Sequence, residues 1–195
     1  MYLYGASGHA KVIIDILLAC GYSIDGLVDD NININSLLDY PVYHNKLDYS
    51  PIIVSIGNNS IRKSIAGKLL GKFGTAIHPS AIISPNAFID IGTVVMPGTI
   101  VNSGCNIGKH CILNTGVSVD HECILGDYVH ISPHATLCGN VKVGEGSWIG
   151  AGTVIIQGVE IGKWSQIGAG SVVTKNIPDN VLAYGNNCKI IKKIN

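Results

Sequence analysis

The chain has 195 residues, 47% of them hydrophobic but only 6% aromatic, with 24 glycines, and 13 basic side chains balance 13 acidic ones. That length allows one large domain or two small ones, and the neutral balance disfavours nucleic acid or an anionic membrane as a partner. No uncharged apolar run reaches the roughly 18 residues of a membrane span, and "MYLYGASGHAKVII" lacks the basic start and long apolar core of a secretory signal, so a soluble, cytoplasmic protein is expected.

Residues 1–75 read as a small α/β, Rossmann-like domain. "MYLYGASGHAKVIIDILLACGYSIDGLVDD" spells strand, glycine turn, helix, strand, with Val12, Ile13, Ile16, Leu17 and Leu18 as the apolar helix face. "PIIVSIGNN" is a further buried strand ending in a glycine turn, and "SIRKSIAGKLLGKFG" predicts an amphipathic helix over 60–74. Strands alternating with helices imply a parallel sheet. Gly5, Ser7 and Gly8 fall between strand and helix, where free N–H groups and the helix dipole favour an anion. This is not the full dinucleotide fingerprint, so the signal is weak alone. Asp29 and Asp30 end the next strand, where such a domain places an acid on a ribose, and Gly57 ends a third. Three strand ends on one crevice suggest a nucleotide. Ordinary turns would spell the same residues, and His9 would equally suit the first turn of a helix.

From Ile77 a six-residue clock begins. Stepping by six gives Ile77, Ile83, Ile89, Val95, Val101, Ile107, Leu113, Val119, Leu125, Ile131, Leu137, Val143, Ile149, Ile155, Ile161, Ile167 and Val173, all branched aliphatics. Four places after each comes a small or β-branched residue, from Ala81 to Ser171, with Ile177 the least small. A period of six fits a short strand and a turn, three of which close a triangular coil of 18 residues. The aliphatic points inward, and the small residue fits where the wall bends. Gly92, Gly98, Gly104, Gly108, Gly126, Gly144, Gly150, Gly162 and Gly168 are read as tight turns. The phase never slips, so no long loop interrupts the wall. Of six cysteines, Cys105, Cys111 and Cys123 share the small-residue phase and read as core residues rather than ligands or disulfides. After Ile177 the pattern stops, and residues 179–195 read as a tail with one short strand.

The clock over residues 76–178 resembles the left-handed parallel β-helix of the hexapeptide-repeat acyltransferases. With "GASGH", "IGNN-IRK", "IHPSA-IISP" and "HEC-IG", the chain up to about residue 178 resembles the bacterial nucleotide-aminosugar N-acetyltransferases, whose cousins include sialic acid O-acetyltransferases. The handedness comes from that resemblance. It implies an acetyl-CoA-dependent enzyme without a metal, a homotrimer with sites between subunits, and a nucleotide amino sugar held by the N-terminal domain. Carried onto this chain, Ser7, Gly8 and His9 contact the phosphate side of the nucleotide, and Asp29, Asp30 and Gly57 its base and ribose side. His121 is the general base and Glu122 strengthens it. Gly139 offers its amide to the thioester oxygen, and His130, Ala151 and Ala169 contact acetyl-CoA.

The residues support that assignment chemically. His121 and Glu122 lie two and three steps past the inward Val119, at a turn, so both side chains should leave the coil. An amine attacking a thioester must lose a proton, and an imidazole titrating near neutrality suits the task. Gly139 lies one coil beyond His121, and Ala151 and Ala169 are also one coil apart. The "GxPAK"-like ending common in the family is here "YGNNCKIIKK"; Lys189, Lys192 and Lys193 could meet CoA phosphates or form an ordinary solvated tail. The first-choice reaction is N-acetylation of a nucleotide-linked 4-amino-4,6-dideoxy sugar, UDP-linked for preference. O-acetylation of sialic acid or another glycan precursor is second. A zinc hydrolase of the γ-carbonic anhydrase type must be weighed because of His78, His110, His121, His130 and His134, but the spacing of His130 and His134 departs from that family. A non-catalytic scaffold would leave His121 without a role.

Overall fold

A computed structural model describes residues 1–45 and 47–194. The strands β1 (Tyr2–Tyr4), β2 (Gly26–Val28), β3 (Ser36–Leu37), β4 (Tyr40–Tyr43) and β5 (Ile52–Val54) form one sheet in the order β3-β4-β2-β1-β5. All its pairings are parallel except the β3–β4 hairpin. Helix α1 (Gly8–Ala19) follows β1, and α2 (Asn59–Ala66) follows β5. Leu3, Leu27, Ile52 and Ile53 are fully buried, as expected for parallel strands covered on both faces.

Two local expectations change, and a hairpin is added. Helix α1 buries Ala10, Ile13, Ile14, Ile16 and Leu17, whereas Val12 and Leu18 are exposed. It packs at once on the sheet and on the neighbouring β-helix, through Ala76, Val94, Met96 and Ile112, so its buried stripe is rotated. Helix α2 is shorter than its pattern. Asn58 caps it, its Oδ1 accepting the Ile61 N–H at 3.0 Å, and Gly67 ends it. Beyond Gly67 the chain instead pairs with β5, the Ile52 N–H donating to the Lys72 carbonyl and the Gly74 N–H to that of Ile52. The β3–β4 hairpin has no sequence signal, because its left-handed turn residues are Leu38 and Asp39 rather than glycine or asparagine.

From Ala76–Ile77 to Val172–Val173, two-residue strands recur every six residues. Each pairs in parallel with the strand one coil on, as in Ile112↔His130, Ser118↔Thr136 and Ile124↔Lys142. Three walls result, beginning at Ala76–Ile77 (first), Ile82–Ile83 (second) and Phe88–Ile89 (third). The inward aliphatics from Val95 to Val173 are buried in one core, while Ile77, Ile83 and Ile89 in the opening coil are only partly covered.

The small-residue phase does more than fit the bend. Thr93 Oγ1 donates to the Gly108 carbonyl at 2.8 Å, Thr99 Oγ1 to Asn114 at 3.0 Å, Cys105 Sγ to Asp120 at 2.9 Å and Cys111 Sγ to Gly126 at 3.1 Å. A part-buried vertex carbonyl of the following coil is thus satisfied by a hydroxyl or thiol. All six cysteines are free. The glycines divide into two kinds. Gly98 has φ +70 and sits in the left-handed turn. Gly144 needs no positive φ; a Cβ there would stand 2.6 Å from the backbone nitrogen of Lys163 in the next coil.

The tail holds two strands rather than one. Val181–Tyr184 extends the first wall beside Gln166–Ile167, and Lys189–Lys193 folds back antiparallel on it. Val181 and Ala183 turn inward and close the core, which is why this segment leaves the clock without leaving the domain. Lys189, Lys192 and Lys193 lie on the exposed outer strand, and Asn195 lies outside the described residues.

Candidate active site

His121 and Glu122 stand at the vertex between the second and third walls. Glu122 takes φ +60, the turn conformation that glycine adopts elsewhere in the helix. The two side chains are 59% and 70% exposed, and His121 Nδ1 lies 3.4 Å from Glu122 Oε2. Asp120 Oδ1 braces the turn, accepting the His121 backbone N–H at 2.8 Å and the Asn102 side-chain amide at 2.9 Å. Those bonds, Asn102 foremost, hold the Asp120 carboxyl below the usual range. One coil further, Gly139 lies under the imidazole: a Cβ built on it would stand 2.5 Å from His121 Nε2. With Nδ1 turned to a carboxylate, the tautomer protonated there leaves a lone pair on Nε2.

His130, Ala151 and Ala169 come together elsewhere, in a groove of about 460 Å³ that Ser132, Trp148 and Gln166 also line. It runs along the first wall and its vertex with the second. The His130 ring stacks on Trp148 at 5.7 Å, and Trp148 Nε1 donates to Ser132 Oγ at 2.6 Å. Asn114 Nδ2 lies 3.2 Å from His130 Nε2. Burial, and then the nearby Arg62 and His9, push the His130 imidazole down to about 3, so it is neutral at working pH. The two sets of expected site residues therefore sit on different edges of one chain: His121 and Gly139 on one, the groove with Ala151 and Ala169 on another.

The carboxyl ends of β2, β1 and β5 lie side by side and bring the loops of Ser7, Asp29 and Gly57 to one edge of the sheet. Ser7 and Gly8 are exposed at the start of α1, where Ser7 makes no side-chain cap bond. Both aspartates already have partners in the chain. Asp29 accepts the backbone N–H groups of Ala6 and Asn31 at 2.7 and 2.8 Å, and Asp30 accepts the Tyr4 hydroxyl. Burial first, and Asp30 next, raise the Tyr4 hydroxyl well above its ordinary range. His9 turns toward the β-helix; burial and then Arg62 lower it to about 4. Gly57 adjoins His130, where its backbone is the one influence that favours the charged imidazole.

The five histidines weighed for a metal site are scattered. His78 and His134 lie at the first–second vertex, His121 at the second–third, His110 at the third–first, and His130 on a wall. Among the described residues no three His, Cys, Asp or Glu side chains converge to hold a metal ion.

Comparison with known proteins matches residues 1–69 to the PglD N-terminal domain and residues 140–175 to the bacterial transferase hexapeptide (six repeats). The perosamine N-acetyltransferase of Caulobacter crescentus, solved as a histidine-to-asparagine variant with CoA and GDP-perosamine, is 36% identical. The match covers 98% of this chain and 96% of that one, with a TM-score of 0.93. The chain belongs to the hexapeptide-repeat sugar N-acetyltransferases. The acetyltransferase domain of PglB from Neisseria gonorrhoeae is 37% identical over 97% of this chain and 98% of that one, with a TM-score of 0.90. The UDP-N-acetylbacillosamine N-acetyltransferase of Bacillus subtilis is 56% identical over 45 residues, which is 22% of this chain and 21% of that protein.

Sequence reasoning overlooked how this sugar N-acetyltransferase joins its domains. Arg62, inside the "IRK" quoted above, is 1% exposed and anchors α2 to the third–first vertex. Asn59 Nδ2 donates to the Gly146 carbonyl at 3.0 Å, and Lys63 pairs with Glu145. The clue was available: an arginine falls on the same helical face as the apolar Ile65 and Ala66, the face that packs inward. Trp148, 47% exposed beside His130, was likewise legible as an outward aromatic. No helix among the described residues is long and apolar enough to cross a membrane.

Proposed function

We propose that this cytoplasmic protein transfers the acetyl group of acetyl-CoA to the amine of a nucleotide-linked amino sugar, in a site shared by neighbouring subunits of a homotrimer. The carrying observation is the whole-chain match, both domains together, to a sugar N-acetyltransferase that holds CoA and GDP-perosamine. The pantetheine lies in the groove of His130, Ala151 and Ala169. Ser7, Gly8 and His9 border the nucleotide phosphates, and Gly57 with the Asp29–Asp30 loop borders base and ribose. The two acids act through the backbone and the Tyr4 hydroxyl that they hold.

The amine attacks the thioester carbonyl carbon, and His121 Nε2 takes its proton as the C–N bond forms. Charge gathers on the carbonyl oxygen, where the Gly139 amide is a fixed donor. When the C–S bond breaks, the CoA thiolate recovers the proton from the imidazolium, which Glu122 stabilises. Because His121 and the groove stand on different edges, a neighbouring chain supplies the partner edge and covers an imidazole that one chain leaves in water. Excluding water there strengthens the attraction between the imidazolium and Glu122 and the pull of the amide donor on the developing charge.

The test is a panel of UDP-, GDP- and dTDP-linked amino sugars and sialic acid with acetyl-CoA, monitoring free thiol. Turnover is expected with one nucleotide amino sugar, and His121→Ala should lower kcat by about 10²–10⁴. Turnover of sialic acid alone would redirect the reading to O-acetylation, and an unchanged rate in His121→Ala would remove the assigned base.

A further inference from the structure

Arg62 is a buried cation held only by neutral acceptors. Its Nε donates to the His110 carbonyl at 2.8 Å, Nη1 to the carbonyls of Ile56 and Gly57 at 3.0 and 3.2 Å, and Nη2 to Asn59 Oδ1 and the Tyr128 carbonyl, both at 2.8 Å. The five N–H donors of a guanidinium are thereby all used. Among the described residues no carboxylate pairs with it, and burial lowers it to about 10, so it stays charged. Taking an uncompensated charge out of water is costly, and an apolar side chain would bind two surfaces together with less penalty. What an apolar residue cannot do is fix register. Arg62 bonds three separate segments: the loop leaving β5, and the turns of two consecutive coils at His110 and Tyr128. The loop carries Gly57, which borders the nucleotide crevice on one side and His130 of the donor groove on the other.

The peptide geometry shows what this clamp controls. In a trans peptide the N–H points opposite its carbonyl. With the Ile56 and Gly57 carbonyls both drawn to Nη1, the N–H groups of Gly57 and Asn58 must face away from the guanidinium. The loop's donors are therefore oriented from behind. Asn59, the other partner of Nη2, extends the same clamp to the Gly146 and Ser147 carbonyls.

We propose that Arg62 is a positioning residue for the acceptor: by tying the Gly57 loop to the His110 and Tyr128 turns, it holds the nucleotide crevice in register with the donor groove. This rests on the transferase reading above. The effect belongs to the nucleotide and not to CoA, whose groove lies on the wall itself and needs no help from the loop.

Calorimetry on the full chain, with UDP, GDP and dTDP in turn and with CoA, tests this for wild type, Arg62→Lys and Arg62→Met. Thermal unfolding and circular dichroism are recorded alongside. Wild type should bind one nucleoside diphosphate, and both variants should bind it at least about tenfold more weakly while their CoA affinity stays within about twofold. Lysine should not rescue, since it keeps the charge but cannot reproduce the fork. Equal weakening of both ligands, or full rescue by lysine, overturns the proposal. Should the Arg62 variants not fold, Asn59→Ala loosens the same clamp with Arg62 in place. It should weaken only the nucleotide, by about threefold to tenfold, and an unchanged nucleotide affinity sinks the idea. Wild type that binds neither nucleotide nor CoA would instead count against the transferase reading.

Discussion

Gly139 and His121 are 18 residues apart in sequence and in contact in space, the imidazole lying across the glycine. Since Gly139 does not need a positive φ, alanine there should fold normally and act only by displacing the ring. Gly139→Ala is expected to leave the melting temperature within a degree or two and to lower kcat by about 10²-fold, the cost of roughly an ångström of misplacement; steady-state kinetics beside a melting curve checks both. At the same scale, His9, His110 and His130 surround Arg62, and burial, followed by that cation, lowers them to about 4, 4 and 3. Asp127 and Asp90 oppose the shift at His110, and Lys109 adds to it. Folding keeps these imidazoles neutral, whereas the unfolded chain protonates them near pH 6.5. Their contribution is therefore complete above that pH and is lost as the pH falls toward 4. Each should remove on the order of 1 kcal/mol per pH unit in that window, seen as a steep drop in denaturation midpoint between pH 6.5 and 5. A flat midpoint there would contradict the burial.

The coil is the natural unit at the next scale. Thr93 both donates to the Gly108 carbonyl and accepts the Cys111 N–H at 3.0 Å, so it links adjacent coils at a vertex. Thr93→Val keeps the shape and removes both bonds; it should cost about 1–3 kcal/mol, and Thr93→Ser much less, by chemical denaturation. The clock in the sequence shows that this place wants something small. It does not show why so many of those residues carry a hydroxyl or thiol, because the acceptor belongs to a coil 15 residues later. The helices show the same limit. Their apolar stripes were legible, but the face of α1 was misjudged at Val12 and Leu18, since it answers to two surfaces at once. The length of α2 was misjudged because residues after Gly67 had a better partner in β5.

At the scale of the molecule, the separation of His121 from the groove is the feature with consequences. If each site joins the groove of one chain to the vertex of the next, two differently disabled chains can restore one another. His121→Ala leaves a groove without a base, and Ala151→Trp leaves a base beside a filled groove. Each homotrimer should be inactive, whereas an equal mixture assembled together should recover about a quarter of the wild-type sites, as random closed rings require. No recovery would place the whole site within one chain. Light scattering gives the stoichiometry independently.

By itself the sequence determined the triangular wall, its phase and its inward core, because a period of six admits few geometries and the same constraint repeats coil after coil. It also placed His121 and Glu122 on a turn, and stacked Gly139 on His121 and Ala169 on Ala151, since whole-coil spacing is arithmetic. Only the tertiary structure decided which vertex the N-terminal domain packs against, the one that carries His110 and Tyr128. It alone tied Asp29 to the Ala6 and Asn31 amides and Asp30 to the Tyr4 hydroxyl, and made Arg62 the buried joint between domains. Those outcomes depend on contacts between segments far apart in the chain, where no local pattern records what will lie opposite.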